Sequence, residues 1–363
     1  MSMASRYPSP KLRAFTLIEL LVSVAVLAVL MLVLTQVLSD TQTTWGRAKA
    51  RTEEFREARA VFEAMASRLS QATLNSYWGY KLDINNNPVS YERQSELHFV
   101  SGPATTLLGA SLPAAGHSVF FQAPLGENMG AGALSGSATE PYGLQNMLNA
   151  WGWYARYESD MPRRPPFLVA SPAQPERKRF RLMEFRQPTE KLSLYQLDGG
   201  IPWIEAQKTQ ADLYKWFRMD LAQESQPVAE NILAVFIQPV WPVLDGDTGA
   251  DVSAAPDYVY DTRRHQWQGS SALSKLSRHQ LPPVLRLTLV ALDERDWSRL
   301  DVSASDALAE KLQKLVNTEV FTSAVKYEAD VKKLETELVN LKLGFRIFST
   351  AVQMPAAKLM SQS

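Results

Sequence analysis

Lys11-Leu12-Arg13-Ala14-Phe15-Thr16-Leu17-Ile18-Glu19-Leu20-Leu21, residues 11–21, opens an apolar run that lasts to Leu38. Glu19 is the only charge between Phe15 and Leu38. At a rise of about 1.5 Å per residue, the run makes about 36 Å of helix, enough to cross a bilayer with some tilt. Arg6, Lys11 and Arg13 precede it, with no acid among residues 1–14. That asymmetry places the N-terminus on the cytoplasmic side. Downstream, Arg47, Lys49 and Arg51 are offset by Asp40, Glu53, Glu54 and Glu57. A secretory signal shares part of this pattern, but Leu34-Thr35-Gln36-Val37-Leu38 is a poor small-x-small cleavage site.

Glu19 is the residue to explain, because a carboxylate in an apolar span costs a few kcal/mol on insertion scales. One reading is a Glu near a helix end that reaches back to the headgroups. The other rests on the residues around it. The stretch from Lys11 to Leu21 resembles the N-terminal signature of type IV prepilins and pseudopilins. The resemblance implies that prepilin peptidase cuts between Ala14 and Phe15, that Phe15 becomes an N-methylated amino terminus, and that Glu19, fifth in the mature chain, serves assembly with other pilin-like subunits. Thr16, Leu17, Ile18, Leu20 and Leu21 fit the same pattern. Ala14 stands where the family usually has Gly, and no Pro interrupts the span. The chemistry is coherent. A freshly cut amine is positive, and an unpaired charge in hydrocarbon is expensive. A Glu one turn along can pair with the amine of an adjacent subunit, and the first turn suits the positive end of the helix dipole.

Beyond Leu38, Phe55, Ala58, Phe62, Met65, Leu69 and Ala72 recur at alternating spacings of three and four, which predicts one apolar stripe on a continuing helix. The expected layout is a leader at 1–14, a membrane half-helix at 15–38, an amphipathic half at 39–76, and a head at 77–363 with a helical insert at 304–343.

Within the head, 96–100, 117–121 and 151–157 read as strands, with Gly/Ala/Ser-rich loops at 102–116 and 126–143. Prolines from Pro162 to Pro175 argue against regular structure. Arg163, Arg164, Arg177, Lys178, Arg179 and Arg181 surround them and read as a solvated basic loop, with an anionic partner as the sharper alternative. Asp83-Ile84-Asn85-Asn86-Asn87 has the start of a calcium-loop spacing, but Pro88 replaces the required Gly and Gln94 stands in the bidentate Glu position. Residues 245–251 place three Asp together without a twelfth-position acid. Both read as polar turns closed by their own side chains, with calcium as the alternative.

Ile232–Ile237 reads as a buried strand, and Val284–Leu292 as a strand with a wetter second face. Val-Ala-Glu-Asn-Ile-Leu at 228–233, Trp241, and Leu-Pro-Pro-Val-Leu-Arg-Leu-Thr-Leu at 281–289 resemble the core of the minor pseudopilin J family. Leu308, Leu312 and Leu315 form one helical stripe. Tyr327, Val331, Leu334, Leu338 and Leu341 form a second, with Glu328 and Lys332 as an i,i+4 pair. Gly344 ends that helix before a last strand at 345–352. The whole layout resembles the large prepilin-type family called Verru_Chthon cassette protein C. The expected fold class is α+β: a long membrane-spanning N-terminal helix packed on a mostly antiparallel β-sheet head, with a helical insertion near the C-terminus.

Composition narrows the function. Lys+Arg and Asp+Glu are both 38, which gives no argument for nucleic acid, and the absence of Cys excludes disulfides and thiolate metal sites. The four His (His98, His117, His265 and His279) form no metal-spaced pair and read as surface or strand residues; no nucleotide or hydrolase motif occurs. The expectation is a structural subunit without enzymatic activity or cofactor. It would be a minor pilin or pseudopilin of a type IV pilus or type II secretion-like filament, in the inner membrane with its head in the periplasm or on a filament. The alternative is an uncleaved single-pass membrane protein whose head binds a ligand or polysaccharide.

Overall fold

The computed structural model describes residues 17–83, 85, 87–127, 147–169, 176–195, 197–198, 201–202, 213–241, 252–266, 277–299 and 302–357. The chain divides into two compact units, residues 1–53 and 54–363.

Helix α1 spans Leu17–Leu69. In the first unit it exposes every described side chain, and Leu17–Gly46 is long and apolar enough to cross a membrane. No Pro or Gly breaks its apolar run, and Ser23, Thr35 and Thr41 donate their hydroxyls to carbonyls three or four residues back. That satisfies small polar groups inside the helix itself, as a lipid environment demands. The helix stops at Leu69, earlier than the stripe's last member, Ala72, which packs from the turn that follows.

The second unit is the head. After α1 come β1 (Tyr77–Leu82) and β2 (Pro88–Gln94), a separate antiparallel hairpin. Then follow β3 (Val100–Pro103), α2 (Ala104–Leu108), β4 (Ala114–Pro124), β5 (Leu148–Ser159), α3 (Pro166–Val169) and β6 (Lys178–Gln187). The chain continues through the short β7 (Leu197–Asp198) and β8 (Ile201–Pro202) to α4 (Lys215–Arg218), β9 (Ser225–Glu230) and β10 (Ile232–Trp241). Next are β11 (Val252–Ser253), β12 (Tyr260–Asp261), β13 (Val284–Leu292) and α5 (Glu294–Ser298). Last come α6 (Val302–Lys314), α7 (Tyr327–Asn340) and β14 (Phe345–Gln353). The main sheet runs β14-β13-β10-β4-β5-β6-β9, with β3, β11 and β12 attached. It is mostly antiparallel, and β10 and β4 are parallel neighbours where Val235 meets Gly116. The fold is α+β.

Both faces of this sheet are covered, which is why its central strands read as nearly continuous apolar runs. On one face Ala58, Phe62, Met65 and Leu69 of α1 pack against Val119, Phe121, Trp151, Trp153, Val235, Ile237 and the Leu285, Leu287, Leu289 row. On the other, Leu233, Phe236 and Val290 pack under Leu312, Leu315, Leu334 and Leu338 of the C-terminal helices. A third cluster joins Phe120, Tyr154 and Phe185 to Leu107, Trp216 and Phe217. Each fully buried side chain of this size contributes about 1.5–3 kcal/mol.

Several expectations change. Residues 96–99 are irregular, and the strand begins at Val100. The stretch 102–116 contains α2 and strand ends as well as turns. Short helical turns at Met161–Arg163 and Pro166–Val169 occupy the proline-rich segment, since Pro is tolerated at a first helical turn. The second face of β13 is not wet. Thr288 is buried there, its hydroxyl 2.6 Å from that of Tyr327, and the Arg286 guanidinium lies 4.8 Å over the Tyr327 ring. The helical insert supplies that cover, which strand alternation alone does not reveal. Glu328, expected to pair with Lys332 one turn along α7, reaches Arg286 of β13 at 3.7 Å. The contact joins the helix to the sheet.

Candidate functional site

Glu19 lies in the first turn of α1 and is exposed, and its carbonyl accepts a hydrogen bond from the Ser23 hydroxyl at 2.9 Å. Leu17, Ile18, Leu20 and Leu21 around it are also exposed. An acid at this end of a helix meets the positive end of its dipole. Ala14 and Phe15 lie outside the described residues, as do the acidic segment 245–251 and most of the loop 126–143.

In the head, several charged and titratable groups serve as ties between elements. Glu184 is buried under the end of α1. It accepts hydrogen bonds from the indole N–H groups of Trp151 (2.9 Å) and Trp153 (3.1 Å) and from Arg68, whose guanidinium lies 4.5 Å over the Trp151 ring. One carboxylate thus ties the helix to two strands.

Of the histidines expected at surface or strand positions, His117 lies in β4, and burial of His98, His117 and His279 corrects the surface half of that expectation. His98 Nε2 is 2.8 Å from Asp261 Oδ1, and the Trp216 indole donates to His98 Nδ1 at 3.2 Å. An indole N–H only donates, so Nδ1 accepts and the neutral ring carries its proton on Nε2, toward Asp261. Asp261 also accepts from the Tyr214 hydroxyl at 2.9 Å. Both ring nitrogens are therefore engaged, and neither is left to activate a nucleophile. His117 Nδ1 accepts from the Ile237 N–H at 3.1 Å, and burial lowers its pKa to about 4. His265 and His279 lie 4.8 Å apart between ring centroids. Burial, then the neighbouring arginines, lower them to about 4 and about 2. Among the described residues, no group of three or more His, Asp or Glu is arranged to hold a metal ion.

The basic cluster is solvated only in part: Arg163 and Arg177 are exposed, but most of its side chains are held in ion pairs. Arg179 reaches Glu230 at 2.6 Å and Glu294 at 2.7 Å, Arg181 reaches Glu230 at 3.2 Å, and Lys178 reaches Asp306 at 2.7 Å. Arg163 pairs with Glu158, and Arg164 with Asp160 at 2.8 Å. Glu230, Glu294 and Asp306 come from distant parts of the chain, so nothing in the local sequence announces them. The Asp83 turn closes on itself: its carboxylate accepts from the backbone N–H groups of Asn85 and Asn87, each at 2.8 Å. The Asn87 bond is the main cause of a lowered pKa there.

The site that carries a specific signal is therefore the N-terminal helix. The prokaryotic N-terminal methylation motif matches residues 10–35. The match is confined to that N-terminal segment, which is similar to the start of type IV pilin-like precursors. No curated protein and no solved structure matches the chain.

Proposed function

We propose that the protein is a structural subunit of the minor pilin or pseudopilin kind, in a type IV pilus or type II secretion-like filament. In this reading prepilin peptidase cuts between Ala14 and Phe15, and Phe15 is N-methylated. Glu19 then neutralises the terminal amine of a neighbouring pilin-like subunit. The helix is held in the inner membrane before assembly, and the α+β head lies in the periplasm or on the filament. The domain division is leader 1–14, membrane half-helix 15–38, an amphipathic segment 39–76 whose helix ends at Leu69, and head 77–363. The observation that carries the reading is the coincidence of the methylation motif with an exposed apolar helix bearing one acid in its first turn.

Mass spectrometry of the protein purified from its host tests it. A chain beginning at N-methylated Phe15 is the expected result, and an intact residue 1–14 leader overturns the processing step. Glu19→Ala is expected to abolish co-purification with other pilin-like proteins while the head remains folded.

A further inference from the structure

Just past the apolar run, Val37, Asp40, Thr41, Thr44 and Trp45 line one shallow concavity on α1. Helical spacing makes Val37, Thr41 and Thr44 its floor, with Asp40 and Trp45 as walls on either side. Trp45 is 74% exposed. The Thr41 hydroxyl is turned inward, donating to the Val37 carbonyl at 2.7 Å.

Depth follows from helix geometry. Leu17–Leu38 covers about 33 Å, close to the hydrocarbon thickness of about 30 Å. The Asp40 backbone then falls about 3 Å beyond Leu38 and that of Trp45 about 10 Å beyond. Long helical side chains lean toward the N-terminus, which brings the indole back over the preceding turn. Carboxylate and indole therefore flank the concavity at headgroup depth, where Trp is favoured.

We infer that this concavity binds the ammonium group of an amine-bearing lipid headgroup, of the phosphatidylethanolamine kind. Among the described residues Asp40 is the only charged one lining it, and its carboxylate attracts an ammonium and repels a bare phosphate. An indole face adds attraction for the same cation. The inference rests on α1 crossing a membrane; it does not depend on leader cleavage or filament assembly.

The test uses the full chain in nanodiscs made of equal parts phosphatidylethanolamine and phosphatidylglycerol. The lipid retained after mild detergent washing is measured by mass spectrometry. Wild type is expected to enrich phosphatidylethanolamine about fivefold over the bulk mixture. Asp40→Asn and Trp45→Ala are each expected to return it to the bulk ratio, while Asp40→Glu keeps the enrichment. Equal ratios for wild type, Asp40→Asn and Trp45→Ala overturn the inference. So does a result in which these variants alter only co-purifying proteins, since the occupant is then a neighbouring helix. Alkaline washing of native membranes separates the underlying readings: release of wild type defeats the membrane span and this site together, whereas an uncleaved but retained chain defeats only the processing proposal.

Discussion

Glu184 shows how much one side chain can organise. Two indole N–H groups and the Arg68 guanidinium converge on it in a buried setting. Removing one partner of a buried pair leaves the others unsatisfied, at a cost of about 3–5 kcal/mol. Glu184→Ala is expected to lose stability in that range, read from denaturant unfolding of the full chain in micelles. Glu63→Ala, which breaks an exposed pair with Arg59, should change it by less than about 0.5 kcal/mol. Glu184 carries no sequence signal beyond its place in an alternating strand. Glu19 does, because a lone acid in an apolar run is costly wherever the run goes.

At the scale of elements, the end of α1 and the strands beneath it are fitted closely. Met65 and Leu69 are fully buried against the sheet. Met65→Ala is expected to cost about 2–5 kcal/mol, measured by the shift in unfolding midpoint. Gly152 on β5 is required by its neighbours: a Cβ there would collide with the Phe120 ring and come 2.7 Å from the Val119 carbonyl oxygen. Phe120 in turn stacks on Phe217 with centroids 4.0 Å apart. Gly152→Ala must push that pair aside, and a loss of about 1–3 kcal/mol is expected by the same measurement. The spacing of α1's stripe and of the C-terminal leucines was readable in advance, because a 3.6-residue period exposes a buried face directly. The cover they place over β13's second face was not, since Arg286 and Thr288 look like solvent-facing residues until Tyr327 is set beside them.

Across the whole molecule, neutral histidines that are buried (His117, His279) or half-buried (His265) set an acid limit on stability. His117, His265 and His279 are lowered from the ordinary value of 6.5 to about 4, about 4 and about 2. Burial is the leading cause for all three; Arg263 and Arg278 add to it at His265 and His279, while Asp261 and Glu92 oppose it at His265. The folded state therefore binds fewer protons than the unfolded state below pH 6.5. Their contribution is complete above pH 6.5 and falls as the pH drops from there toward 4. The slope is at most about 1.4 kcal/mol per pH unit for each histidine. Thermal melts of the full chain between pH 7.5 and 4.5 should show this fall. His117→Asn, which keeps an acceptor for the Ile237 N–H, should reduce the slope by about one proton.

The N-terminal half of α1, its lone acid and the α+β class were determined by local pattern: length, hydropathy and period are properties of neighbouring residues. The partners were decided only by the tertiary structure. His98 meets Asp261 across 163 positions, and Arg68 meets Glu184 across 116. Arg179 meets Glu294 across 115. A charge's partner in three dimensions is chosen by which strands become neighbours. That choice is made by burying apolar faces, and the charged residues themselves record nothing of it.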